Sequence, residues 1–247
     1  MKFVRVSAFL MLLLSQALSA NIEDPLSVFT SATETLKDGD SEAAADRYEE
    51  LVKADWHSPE LYHNLGVAYQ RQGDTQTALL QLYRAWLLKP FSSTAKSLFL
   101  SQAKEARLSK AQMSQAETQA AALAWRNPLA LSALILFWAS VILVILAEKP
   151  VLRGFGFAGV AIGLLLSAAA YYFHQAAPTA NTAGVISQEA ESLRASHGSG
   201  SPQLTTALPL TQVDIRNQRA QWAYVQRDNG SGGWIKEGSV GKLMPWR

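Results

Sequence analysis

Hydrophobic and polar positions follow four different rhythms along the chain. Lys2 and Arg5 open it, Val6 to Leu14 are apolar, and small residues at Ala17, Ser19 and Ala20 precede polar Asn21. That order predicts a secretory signal over residues 1–20, or the same segment retained as an anchor, and both export Asn21 onward. From Pro25 to about residue 92 the apolar positions return at helical spacing. Twenty residues from Pro128 to Ala147 then carry no charge, and a second apolar run extends from Gly154 to Phe173. Beyond Gln175 a Pro, Ala, Thr and Ser linker over residues 174–184 gives way to alternating segments. Of these, Leu204 to Ile215, Gln221 to Arg227 and Gly233 to Glu237 predict strands, with Asn229-Gly230 as a turn.

The helical stretch matches itself when displaced by 34 positions: Pro25 meets Pro59, Gly39-Asp40 meets Gly73-Asp74, Ala44 meets Ala78 and Tyr48 meets Leu82. The second copy carries Tyr62, Leu65, Gly66, Tyr69, Gly73, Ala78, Leu82, Ala85 and Pro90, the spacing of a tetratricopeptide repeat. The mechanics follow from side-chain size. Gly66 and Ala78 sit where two antiparallel helices cross, Tyr69 and Leu82 fill the seam, Gly73-Asp74 turns the chain, and Pro90 closes the unit. The first copy is degenerate, with Ser31-Ala32 where Leu-Gly is expected. Two repeats fall short of the three or so that bury such faces. The Gly- and Pro-free segment from Ser92 to Ala124 is therefore expected to cap them as one or two further helices, completing a domain over residues 21–124.

Twenty residues make a helix of about 30 Å, the thickness of a bilayer core. Asn127-Pro128 predicts its start, as cap and first helical residue. Twelve of the residues 128–147 are Leu, Ile, Val or Phe, so this span is expected to insert unaided. The run over 154–173 has eight such residues and ten Gly, Ala or Ser, and is expected to need a partner. Gly159, Gly163 and Ser167 form a small-residue face on which the first span can pack. The loop over 148–153 holds Lys149 and Arg153, and its basic density places it in the cytoplasm, with both termini outside.

Composition limits the chemistry. Hydrophobic residues make up 49% and charged residues only 17%, which suits a membrane protein. There is no cysteine, which excludes disulfides, thiolate nucleophiles and Cys-ligated metal centres. Net charge is +2 and falls to zero without residues 1–20, too little for a nucleic-acid partner. Residues 21–124 hold 10 basic against 14 acidic groups and residues 174–247 hold 7 against 5, a weak and screened attraction between the two ends. His57, His63, His174 and His197 show no metal-ligand spacing. Gly154-Phe-Gly156-Phe-Ala-Gly159 satisfies a dinucleotide fingerprint only formally, since no strand precedes it. Ser93 to Lys96 and Ser101 to Lys104 match SxxK without the accompanying KTG. No enzyme and no cofactor are expected.

What remains is binding surface. In tetratricopeptide arrays the first helix of each repeat lines a groove for a peptide or helix, and by that analogy the exposed positions are Phe29, Thr33, His63, Val67 and Gln70. Toward the C-terminus, Leu193-Arg194-Ala195-Ser196, the Leu-Pro-Leu-Thr-Gln-Val segment, Trp222-Ala223-Tyr224-Val225, Gly233-Trp234-Ile235 and Val240-Gly241-Lys242-Leu243 resemble bacterial SH3-like (SH3b) domains, here over 185–247. Trp222 and Trp234 are then either core aromatics of a small barrel or a ligand-facing platform.

The order of parts resembles one family. The repeat pair ending Leu87-Leu88-Lys89-Pro90, the span with Leu136-Phe137-Trp138, the basic loop, Arg153-Gly154-Phe155 and the terminal SH3-like module are similar to the BatE proteins of bacterial aerotolerance operons. That resemblance implies an inner-membrane scaffold working with von Willebrand factor A-domain membrane proteins, a BatD-type protein and a MoxR-type ATPase, and it brings no catalytic residues. The expected architecture is therefore multidomain: an all-α repeat domain, a two-helix transmembrane hairpin and a small all-β SH3-like barrel, with both soluble parts periplasmic. The expected role is a non-enzymatic adaptor. The alternative is a peptidoglycan-binding membrane protein acting through the SH3-like module.

Overall fold

A computed structural model of the chain describes residues 24–179, 182–185, 191–207, 211–227 and 229–246. The signal expected over residues 1–20 lies outside them. The chain divides into two compact units, one ending at His57 and the other beginning at Ser58.

The first unit is a helical pair, α1 (Pro25–Lys37) and α2 (Ser41–Lys53). Asp24 caps α1 and Asp40 caps α2 by accepting the Ala43 amide at 3.0 Å. Pro25 takes a first-turn position, where its missing N–H costs nothing. Ala32, Leu36, Ala44, Tyr48 and Leu51 are buried between the helices.

The second unit opens with the same devices 34 residues on. Ser58 caps α3 (Pro59–Arg71), and Asp74 caps α4 (Thr75–Leu88) by accepting the Thr77 amide at 3.1 Å. Gly39 and Gly73 both turn the chain at positive φ, +100° and +82°, a region that costs an L-residue roughly 1–2 kcal/mol. At Gly66 the helices meet so closely that a Cβ would stand 2.9 Å from Leu82 Cγ. Next come α5 (Ser93–Glu105), then a left-handed Arg107, and α6 (Lys110–Leu146), whose start is fixed by a Ser109–Gln112 capping box.

Helix α6 corrects one expectation. It does not begin at Asn127-Pro128 but runs unbroken through Pro128, roughly 55 Å in all. Proline removes one helical hydrogen bond. Ending the helix there would instead leave about four carbonyls without helical partners, and the strong helix formers Ala120 to Ala124 favour continuation. A three-residue connection, Ala147 to Lys149, leads into α7 (Pro150–Ala176), so the loop expected over 148–153 is half as long. Pro150 suits the first turn of α7, and Arg153 Nε donates back to the Ala147 carbonyl at 2.8 Å.

Helices α6 and α7 are both long and apolar enough to cross a membrane. Only 11% and 17% of their most apolar windows are buried, so they present apolar surface outward instead of forming a soluble core.

The chain ends in an antiparallel sheet of β1 (Thr182–Val185), β2 (Glu191–Arg194), β3 (Gln203–Ala207), β4 (Gln212–Arg219), β5 (Trp222–Gln226), β6 (Gly232–Lys236) and β7 (Val240–Lys242), in the order β3-β2-β6-β5-β4-β1-β7. The single strand expected over Leu204 to Ile215 is two, β3 at one edge and β4 between β5 and β1. The sheet also starts earlier than expected, since β1 lies in the presumed linker. Strand alternation sends Ala183, Leu193, Ala207, Val213, Ile215, Ala223, Val225 and Ile235 to one buried face.

Within the second unit the sheet docks on the repeat. Leu243 and Met244, just past β7, join a core with Leu79, Leu80, Tyr83, Trp86 and Leu87 of α4, Phe99 of α5, and Ala116 and Ala120 of α6. Buried Arg84 donates from Nε to the Lys242 carbonyl at 2.9 Å, and its guanidinium lies 5.5 Å from the Tyr62 ring centre. The Tyr62 and Trp246 rings are 5.6 Å apart.

Candidate partner surfaces

On α3, burial is one-sided. Leu61, Tyr62, Leu65, Gly66 and Ala68 are buried, whereas His63 and Val67 are half-buried and Gln70 is exposed. The spacing of four and three keeps these three accessible side chains on one stripe. His63 is drawn below its ordinary pKa by burial, with Glu60 pulling the other way. At pH 7 the stripe therefore offers a neutral imidazole, an apolar side chain and an amide, which suits a partner of mixed character.

In the first unit, Phe29 and Thr33 share a face of α1 but are engaged internally. The Phe29 ring is 5.8 Å from Tyr48 and 5.4 Å from Trp56, and the Thr33 hydroxyl is 2.9 Å from the Tyr48 hydroxyl. Both are half-buried, so they support the α1–α2 pair as well as forming its surface.

The two tryptophans of the sheet lie on the face opposite its core. Strand alternation puts Ala223, Val225 and Ile235 inward, and Trp222, Tyr224 and Trp234 outward. Tyr224 and Trp234 are directly paired across β5 and β6, and the Trp234 ring centre is 5.5 Å from both Tyr224 and His197. Trp222 sits opposite Lys236, two positions along. Arg194 is the partner of Trp234 on the other side and holds the Ser199 and Ser201 carbonyls at 2.8 and 2.9 Å. The result is a half-buried aromatic strip with a basic margin.

Between α6 and α7 the small residues mark the approach. A Cβ on Gly159 would overlap Ser140, one on Gly163 would stand 3.3 Å from the Phe137 backbone, and one on Gly156 would stand 2.5 Å from Val144. Ser167 returns its hydroxyl to the Gly163 carbonyl at 2.9 Å. Small residues at these positions let the two backbones approach closely.

The junction between sheet and repeat has no counterpart among the residues expected from sequence. Tyr83 donates to Gln119 Oε1 at 2.7 Å, and Gln119 and Gln212 exchange amide hydrogen bonds at 2.7 and 3.0 Å. Burial raises the Tyr83 pKa far above its usual value, with a hydrogen bond from Gln212 opposing, so the phenol stays a donor. One signal was present in the sequence: nine of the fourteen residues of α4 are apolar, and in the structure ten consecutive residues, Ala78 to Leu87, are buried, Gln81 and Arg84 among them. A helix of that kind must be covered on every side.

Residues 48–80 match the tetratricopeptide repeat family, a segment from α2 through the first turns of α4. No curated protein and no solved structure matches the chain. Tetratricopeptide repeats are interaction modules that are typically not catalytic, and the matched segment suggests a protein-interaction scaffold.

Proposed function

We propose that the chain is a non-enzymatic scaffold anchored in the inner membrane, with repeat and sheet both on the periplasmic side and the repeat holding a partner protein. The observation that carries this reading is the one-sided burial of α3, which leaves His63, Val67 and Gln70 open. The Gln119–Gln212 contact supports a common side for both soluble parts, since the residues flank the hairpin and touch each other. The resemblance to BatE proteins implies the partners: von Willebrand factor A-domain membrane proteins, a BatD-type protein and a MoxR-type ATPase system, in tolerance of oxygen or envelope stress. A photo-crosslinking residue at Val67 or Gln70 of the full chain in cells is expected to capture a von Willebrand factor A-domain protein. Equal capture from the outward position Lys104 on α5 would refute the groove.

A second reading rests on the outward strip of Trp234, Tyr224 and His197. If the sheet is an SH3-like module, that strip is its ligand platform and peptidoglycan its ligand. The detergent-solubilised full chain should then sediment with purified sacculi, and Trp234→Ala should abolish sedimentation while leaving the unfolding midpoint unchanged. Undiminished sedimentation of that variant would remove the platform.

A further inference from the structure

We propose that Phe91 and Trp125 form an interfacial anchor by which the repeat rests on the bilayer surface, a lipid contact outside the two spans. It depends on the reading of α6 and α7 as membrane-crossing helices. Phe91, in the connection between α4 and α5, is 66% exposed, and Trp125 of α6 is 48% exposed. Their rings meet edge to face at 5.5 Å and 87°. Two large apolar side chains have thus left the core and packed on each other.

Their depth says what covers them. Trp125 lies three residues before Pro128, where the charge-free stretch of α6 begins, so it stands about 4.5 Å outside the hydrocarbon, in the headgroup layer that tryptophan prefers. On the return helix, Tyr171 and Tyr172 come about 32 Å after Pro150, level with the same boundary. They are 65% and 62% exposed. Phe91 therefore extends an aromatic belt of the hairpin onto the repeat. Below it the outward apolar band continues through Leu131, Leu134 and Ile135. At the margin, Lys89 lies two residues before Phe91 and 3.9 Å from Glu60, so the local charge is balanced there, and Arg126 follows Trp125. Continuity with the outward apolar band and the position of Trp125 along α6 together assign the bilayer surface as the occupant.

The absence of cysteine allows a clean test in the full chain, reconstituted in phosphatidylcholine–phosphatidylglycerol vesicles. A polarity-sensitive fluorophore is attached to Ser93→Cys, which keeps the Phe91–Trp125 pair, to Ile142→Cys in the span, and to Lys110→Cys. Lys110 lies about 27 Å from Pro128 along α6. Nitroxide lipids labelled near the headgroup should quench the Ser93 label, those labelled near the chain ends should quench the Ile142 label, and neither should quench the Lys110 label. Adding Phe91→Ala should reduce quenching at Ser93 toward the Lys110 level. If the Ile142 label is quenched while the Ser93 label behaves like Lys110, or if Phe91→Ala changes nothing, the anchor is overturned and the spans stand. If the Ile142 label escapes the deep nitroxide, the spanning reading fails and takes the anchor with it.

Discussion

Gln119 and Gln212 face each other across 93 positions of sequence and exchange two amide hydrogen bonds, one from each side chain. Gln119 stands on α6 before the first apolar span, and Gln212 opens β4 after the second. Tyr83 closes the arrangement from α4. A polar cluster in this position fixes register between surfaces that apolar packing alone would hold less specifically.

Removing one member should cost more than removing the pair. Gln212→Ala leaves the buried Gln119 amide without its partner, an expected loss of about 1–3 kcal/mol. Replacing both residues by Leu in a Tyr83→Phe background, which leaves no buried phenol without its acceptor, should recover part of that loss. A double-mutant cycle by thermal unfolding in detergent would read a coupling of about 0.5–3 kcal/mol, and simple additivity would show that the pair is incidental.

The α3–α4 crossing should resist enlargement. Gly66→Ala places a methyl 2.9 Å from Leu82 Cγ and 3.2 Å from the Ala78 carbonyl. After the roughly 0.5–1 kcal/mol that alanine gains in a helix is subtracted, a net loss of about 1–2 kcal/mol is expected. Pairing it with Leu82→Ala should relieve the overlap, and the unfolding midpoints of the single and double variants decide.

Acidification should weaken the second repeat through His63. Burial lowers its pKa and Glu60 raises it by less, so the unfolded chain binds the proton more readily. Stability is therefore level above about pH 6.5 and falls as pH drops from there toward the lowered value. In His63→Gln the difference in unfolding midpoint between neutral and mildly acid buffer should shrink. An unchanged difference would assign the acid sensitivity elsewhere.

Topology has a direct readout. With single cysteines at Gln70, Asn229 and Lys149, a membrane-impermeant maleimide applied to spheroplasts should label the first two and spare the third until the membrane is opened. Labelling of Gln70 without Asn229 would mean that the second run fails to cross.

Devices that act within a few residues were legible from sequence. The 34-residue displacement marked Pro25 with Pro59 and Gly39-Asp40 with Gly73-Asp74 as repeated positions and a turn, and the structure adds that the aspartates cap and the prolines open helices. The outward aromatics were identified, but not which face they take, because Trp222 and Trp234 alternate with Gly233, Ala223 and Ile235 in a pattern compatible with either face until a core is chosen. Pro128 misled, since its local preference to begin a helix is outweighed by helix on both sides. The docking of Arg84 on the Lys242 carbonyl lies 158 positions apart and leaves no periodic trace. Only the high apolar content of α4 hinted that something covers it.

The placement of Leu243 and Met244 against α4 has a consequence for biogenesis. Chains fold as they are made, amino end first, yet this helical core takes in side chains translated long after its own helices. Under the proposed topology the repeat waits, incompletely closed, while the two long apolar helices enter the bilayer, which ties its completion to their insertion.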